Sequence, residues 1–174
     1  MKKRLITLIV AIVILMNTII TTVYADILEE EYPTATIIWN SLLEEGYTET
    51  IAAAILGNIM TEVGGHTLNI DATIGSKDYY GICQWSYKYC ADVFNKDLQG
   101  QLAYLNETME NEFNTFGNQY EKGFKYTDFL EMMDVREAAL AFSKCYERNA
   151  PGSYTIRQDN AEVAYKYFVK DNKC

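Results

Sequence analysis

The run Ile51-Ala-Ala-Ala-Ile-Leu-Gly-Asn-Ile-Met-Thr-Glu62 is followed at once by Val63-Gly64-Gly65. Ile51, Ile55 and Ile59 recur at four-residue spacing, so the run reads as a helix, and Thr48 stands where a cap belongs. A hydrophobic helix that releases a carboxyl at its glycine end places that group for partial burial. Burial disfavours the charged form, as a carboxylic acid needs if it is to keep a proton near neutral pH. Glu62 is therefore the first candidate for chemistry.

The rest of the pattern is also helical. Pro33-Thr34 opens a helix through Ile37, Ile38, Leu42 and Leu43, which Gly46 stops. From 64 to 78 periodicity is lost among Gly64, Gly65, Asn69, Asp71, Gly75 and Ser76, the signature of a loop. Helices are expected over 87–94 and from 97 to about 112, with a loop over 114–125 and a short helix over 128–133. Asp134-Val-Arg-Glu137 is similar to a capping box and opens a helix through Ala138, Ala141, Phe142 and Cys145. Asn149-Ala-Pro151-Gly152 breaks it, and a last helix spans about 153–169. Six or seven helices and little strand make a mainly α domain. A short hairpin at most is expected between the Glu62 helix and the Gly81-Ile-Cys-Gln-Trp85 segment.

Residues 1–25 read as a signal peptide: Lys2-Lys3-Arg4, an apolar stretch from Leu5 to Met16, and small residues at the end of Val23-Tyr24-Ala25. The apolar stretch is short of the roughly 20 residues of a spanning helix, so no stable membrane insertion is expected after cleavage. An acidic lead-in over 26–33 and one domain over 34–174 would remain. Removing the leader takes away three of the 15 basic residues and none of the 24 acidic ones, so the net charge falls from −9 to −12 with His66 neutral. Such a surface excludes nucleic acid as a partner, because phosphate binding needs a cationic face. The expected location is extracellular or cell-wall associated. There, Cys83, Cys90, Cys145 and Cys174 can form up to two disulfides or stay unpaired. With a single histidine and no Cys-x-x-Cys, neither a metal nor another cofactor is expected.

Three stretches, in chain order, resemble the phage-tail lysozyme family of the lysozyme-like superfamily, which also holds goose-type lysozymes and soluble lytic transglycosylases. They are Leu56-Gly-Asn58-Ile-Met-Thr-Glu62; Ser76 with Gly81-Ile-Cys-Gln84-Trp85; and Phe142-Ser-Lys-Cys-Tyr146-Glu147-Arg148. The resemblance covers residues 37–168 and implies a lysozyme-like α+β fold around a glycan cleft. It makes Glu62 the catalytic acid, places Tyr146 across the cleft, and leaves Cys83 as a packing residue. The chain departs from the family in Val63-Gly64-Gly65 after the glutamate and in Asn149-Ala150 before Pro151.

The resemblance implies a peptidoglycan muramidase without cofactors. Breaking the bond between N-acetylmuramic acid and N-acetylglucosamine passes through an oxocarbenium-like state whose leaving oxygen needs a proton. Glu62 would supply it. Ser76, Tyr80, Gln84, Trp85 and Tyr146 would bind or orient substrate, with Tyr79 and Tyr87 as further aromatic faces. Inverting hydrolysis also needs a second carboxylate, for which Asp71, Asp78 and Glu147 are candidates; lytic transglycosylation needs none. Both routes stay open, as does a non-catalytic adaptor of the same fold that binds glycan or a secretion or conjugation apparatus. The acidic charge points to recruitment by such a wall-crossing assembly rather than to adhesion on bulk wall.

Overall fold

The helix that carries Glu62, α2 (Glu49–Val63), is buried on every side from Ile51 to Met60. A helix apolar all round must lie at the centre of a fold, and α2 does. The computed structural model describes residues 31–170; the leader, most of the lead-in and Cys174 lie outside them. Ahead of α2 stands α1 (Pro33–Glu44), with Pro33 in its first turn, where a missing N–H costs nothing. Gly46 at φ 91° closes it. The Thr48 hydroxyl accepts from the Ile51 N–H at 3.3 Å and caps α2, a contact worth about 1 kcal/mol.

The expected hairpin is present but sits later than the sequence suggests. Its strands, β1 (Tyr79–Tyr80) and β2 (Trp85–Ser86), are antiparallel, with Tyr79 opposite Ser86 and Tyr80 opposite Trp85. The Gly-Ile-Cys-Gln segment is thus the turn of the hairpin rather than its sequel. Gly81 is required there: at φ 77° a Cβ would lie 2.4 Å from Gln101 Oε1. That oxygen accepts from the Ile82 N–H at 2.9 Å, while the Gln101 amide donates to the Ala72 and Lys96 carbonyls, both at 3.0 Å. One buried side chain on the next helix therefore ties down three points of the preceding loop.

After a single 3-10 turn at Ala91–Val93, in place of the helix expected over 87–94, α3 runs over Leu98–Phe116. It outlasts the expected end near 112 because Phe113 continues the buried stripe of Leu102, Leu105 and Met109. Phe113 stacks on Phe129 of α4 (Tyr126–Leu130) at 4.2 Å between centroids. The carboxylate of Asp134 accepts from the Arg136 and Glu137 N–H groups and opens α5 (Val135–Phe142). This helix widens into a π-helical turn, Ser143–Glu147, that ends on Arg148 in left-handed backbone at φ 56°. Finally α6 (Tyr154–Tyr165) lies against α2 and continues as a π turn, Lys166–Lys170. The approach is so close that a Cβ on Gly57 would lie 2.3 Å from the Ala161 nitrogen. The result is the mainly α architecture expected. Among the described residues no helix is long and apolar enough to cross a membrane.

Candidate active site

The last turn of α2, the hairpin turn, β2 and the π turn meet around a cleft of about 440 Å³. Its walls include Glu62, Tyr79, Cys83, Gln84, Trp85, Tyr89, Cys90, Tyr146, Glu147, Arg148 and Asn149. Glu62, Gln84, Trp85, Tyr146 and Glu147, all singled out in the sequence, are thus brought together.

Glu62 is 17% exposed and forms an ion pair with Arg157 of α6, whose side chain is 4% exposed. A carboxylate near a helix C-terminus opposes the helix dipole, and the guanidinium offsets that cost. Arg157 also donates to the Asn58 carbonyl at 3.4 Å and to Asn58 Oδ1 at 3.1 Å. Its Nε reaches Ser153 Oγ at 3.3 Å. With the Asn149 amide oxygen turned towards the guanidinium, it accepts from Nη2 at 2.6 Å.

Glu147 is the second carboxyl of the cleft. Its Oε1 is buried and has no hydrogen-bond partner among the described residues, a poor setting for a full charge. Burial pushes its carboxyl from an ordinary 4.5 up to about 8, and the neighbouring Glu62 adds to this; Arg157, the Cys83 thiol and Arg148 act in the other direction. Asp71 and Asp78, the other candidates for a second carboxylate, are exposed and absent from the cleft wall. Asp71 instead accepts from the N–H and hydroxyl of Thr73, which hold its carboxyl below the usual range.

The proton on Glu147 sets a pH dependence of folding. Between 4.5 and about 8 the native chain binds more protons than the unfolded one, so stability falls as pH rises through that window. Glu147→Gln keeps the shape and removes the slope. Thermal unfolding at about pH 5 and about pH 8.5 should show the variant gaining on the native protein at the higher value. An equal difference at both values would contradict the burial assigned to Glu147.

The remaining polar groups are tied to the scaffold. The Tyr146 hydroxyl lies 2.8 Å from Thr108 Oγ1 and accepts from Trp85 Nε1 at 3.2 Å, so its bonds fix the indole wall and not Glu62. Gln84, at φ 45°, donates to the Ile74 and Gly81 carbonyls and braces the hairpin turn. Ser76 is outside the cleft wall; its hydroxyl accepts from the Asp78 and Tyr79 N–H groups. Tyr80 also points elsewhere, donating to the Lys96 carbonyl at 3.0 Å with its ring against Phe94. Tyr87 packs edge-on to Phe94 as well. Tyr79 and Tyr89, 52% and 71% exposed, are the open aromatic faces of the cleft. Cys83, Cys90 and Cys145 are free thiols, with Cys83 buried as expected; no disulfide joins these three.

Sequence reasoning missed Arg157, Asn149 and Tyr89, and it named Cys90 only as a possible disulfide cysteine and not as part of the cleft wall. For Arg157 a signal existed: Arg157, Asn160, Ala161 and Ala164 are the buried residues of α6, at helical spacing. An arginine that continues an alanine stripe is a buried arginine. The other three belong to irregular backbone, Tyr89 and Cys90 in the stretch 87–94 that the sequence reads as a helix.

No curated protein matches the chain. Compared with known families, it matches phage tail lysozyme over residues 33–168, from the first turn of α1 into the final π turn, a stretch that holds every wall of the cleft. The chain belongs to the phage tail lysozyme family, and its general role is lysozyme-like lysis of peptidoglycan.

Proposed function

We propose that the protein is a muramidase that cleaves the β-1,4 bond between N-acetylmuramic acid and N-acetylglucosamine without using water, as a lytic transglycosylase. One observation carries this reading. Glu147, the second carboxyl of the cleft wall among the described residues, is buried with Oε1 unpartnered, and this burial pushes its pKa up to about 8. Inverting hydrolysis needs an ionised carboxylate to activate water, and a protonated Glu147 is not one. Intramolecular attack needs only a single acid that later serves as base.

In this mechanism Glu147 stays protonated throughout, and Glu62, in the cleft wall, is the single acid. Glu62 then protonates the glycosidic oxygen, and the bond from that oxygen to the muramyl C1 breaks. The muramyl C6 hydroxyl attacks C1 and gives its proton back to Glu62, closing a 1,6-anhydro ring. Tyr79 and Tyr89 offer faces on which sugar rings can lie. The place of action is outside the membrane, and the charge of −12 after loss of the leader favours delivery by a wall-crossing assembly. Full activity of the lone protein on intact, teichoic-acid-bearing cells at low ionic strength would speak against such delivery.

Mass analysis of a digest of purified peptidoglycan tests the reaction. Anhydro-muramyl ends, each lighter by one water than a reducing end, are expected. Reducing ends would establish hydrolysis instead, and an undigested polymer would remove the enzymatic reading altogether.

A further inference from the structure

Arg157 stands behind the wall of the cleft, its side chain 4% exposed. It is nevertheless held by many hydrogen bonds. A guanidinium has five N–H donors in a rigid plane, and here they meet acceptors from three directions: Asn58 and Glu62 on α2, Asn149 beyond the π turn, and Ser153 before α6. The acceptors are themselves fixed. The Asn58 amide donates to the Ala54 carbonyl at 2.9 Å and to the Ala139 carbonyl at 3.1 Å, so its oxygen can face only the arginine. Burying a charge in this way is a weak route to stability, since apolar side chains of similar volume often do as well or better. Orientation is what the network supplies.

We infer that Arg157 is a positioning residue of the glycan-cleaving reaction, gripping one oxygen of Glu62 from behind so that the other is presented to the cleft at a fixed angle. This rests on reading the cleft as the place where glycan is cut. The charged and titratable groups around this centre are Glu62 from α2, Glu147 and Arg148 from the π turn and its end, and Cys83 from the hairpin turn. The guanidinium is thus a fixed positive charge beside the Glu62 carboxylate, with the Glu147 carboxyl close by.

The test compares the native protein, Arg157→Lys, Arg157→Gln and Asn160→Ala on purified peptidoglycan. The lysine keeps the charge but loses the planar fork, and misplacement of a reacting group by about 1 Å can cost about 10²-fold in rate. Arg157→Lys should therefore lower kcat by about 10- to 100-fold with KM within about threefold. Arg157→Gln should lose at least as much. It should also move the pH limb set by Glu147 upward, because the charge that favours ionised Glu147 is gone. Asn160→Ala is the structural control: it cuts a neighbouring tie between α6 and α2, the bond from Asn160 Nδ2 to Thr61 Oγ1 at 2.9 Å, and should leave kcat unchanged.

Native kcat in Arg157→Lys, a loss confined to KM, or an equal loss in Asn160→Ala would overturn the inference. A native protein that cuts no peptidoglycan would defeat the muramidase reading, which is a different result. Should neither arginine variant fold, the ¹⁵N guanidinium resonances of Arg157 in the native protein decide: slow exchange that Glu62→Gln accelerates supports the grip, and unchanged exchange rejects it.

Discussion

Glu62→Gln should slow the cleavage of purified peptidoglycan by about 10²–10⁴-fold, the usual worth of a positioned general acid. Glutamine has the same shape and keeps an oxygen that the Arg157 guanidinium can hold. It has no proton to give to the glycosidic oxygen and no carboxylate to take one back. The loss should fall on kcat, because the aromatic faces of Tyr79, Tyr89 and Trp85 are untouched. Some stability should go with it, since Arg157 would lose its ion-pair partner; Asn58 and Asn149 remain as acceptors, so the fold should survive. Sedimentation of the variant with purified walls separates binding from turnover. Equal clearing by native protein and variant would remove Glu62 from the chemistry, and clearing by neither would leave the adaptor reading in its place.

The second large effect is expected 5 residues from the cleft, at Gly57. In an exposed helix the change to alanine would gain about 1 kcal/mol. Here the added methyl would meet the nitrogen, Cα and Cβ of Ala161 at 2.3, 2.4 and 2.7 Å. Carbon atoms in contact prefer about 3.5–4.0 Å, so α2 and α6 would have to move apart by an ångström or more. Overpacking of this kind costs roughly 1–3 kcal/mol and occasionally more. For a domain of this size that corresponds to a fall in Tm of roughly 3–10 °C. Activity measured well below the new Tm should fall too, because the same separation draws Arg157 on α6 away from Glu62 on α2. Gly152→Ala is the control, as a methyl there meets nothing within 4 Å. A Gly57→Ala protein with native Tm and native rate would show that the helices can yield without consequence.

Local chemistry made much of this fold legible. The isoleucine spacing of α2, the Thr48 and Asp134 caps, and Pro33 at the start of α1 act within a turn or two of themselves, and each lies where the sequence puts it. The shortfalls share a cause. Residues 87–94 carry apolar groups at a helical interval, but Phe94 is packed on both Tyr87 and Tyr80 across a loop, so one 3-10 turn is what forms. The hairpin is displaced because its turn is held by Gln101, which lies 19 residues from its partner Ile82. The π turn that brings Tyr146 and Glu147 to the cleft has no residue signature of its own. At the site, Glu62 was legible because a carboxylate at the end of an apolar helix is rare. Arg157 was not, because its meaning depends on a partner 95 residues away. Among the three carboxylates offered as second candidates, only the fold could tell that Asp71 and Asp78 face solvent while Glu147 is enclosed.

The manner in which Gln101 holds the long loop leaves the face of this cleft free to change. Ala72, Ile82 and Lys96 are all grasped through their peptide groups, never through their side chains. A loop anchored by its backbone is indifferent to most of the letters written along it. Tyr79 and Tyr89 can therefore be exchanged for other residues, and the open face of the cleft retuned, without disturbing the frame around Glu62.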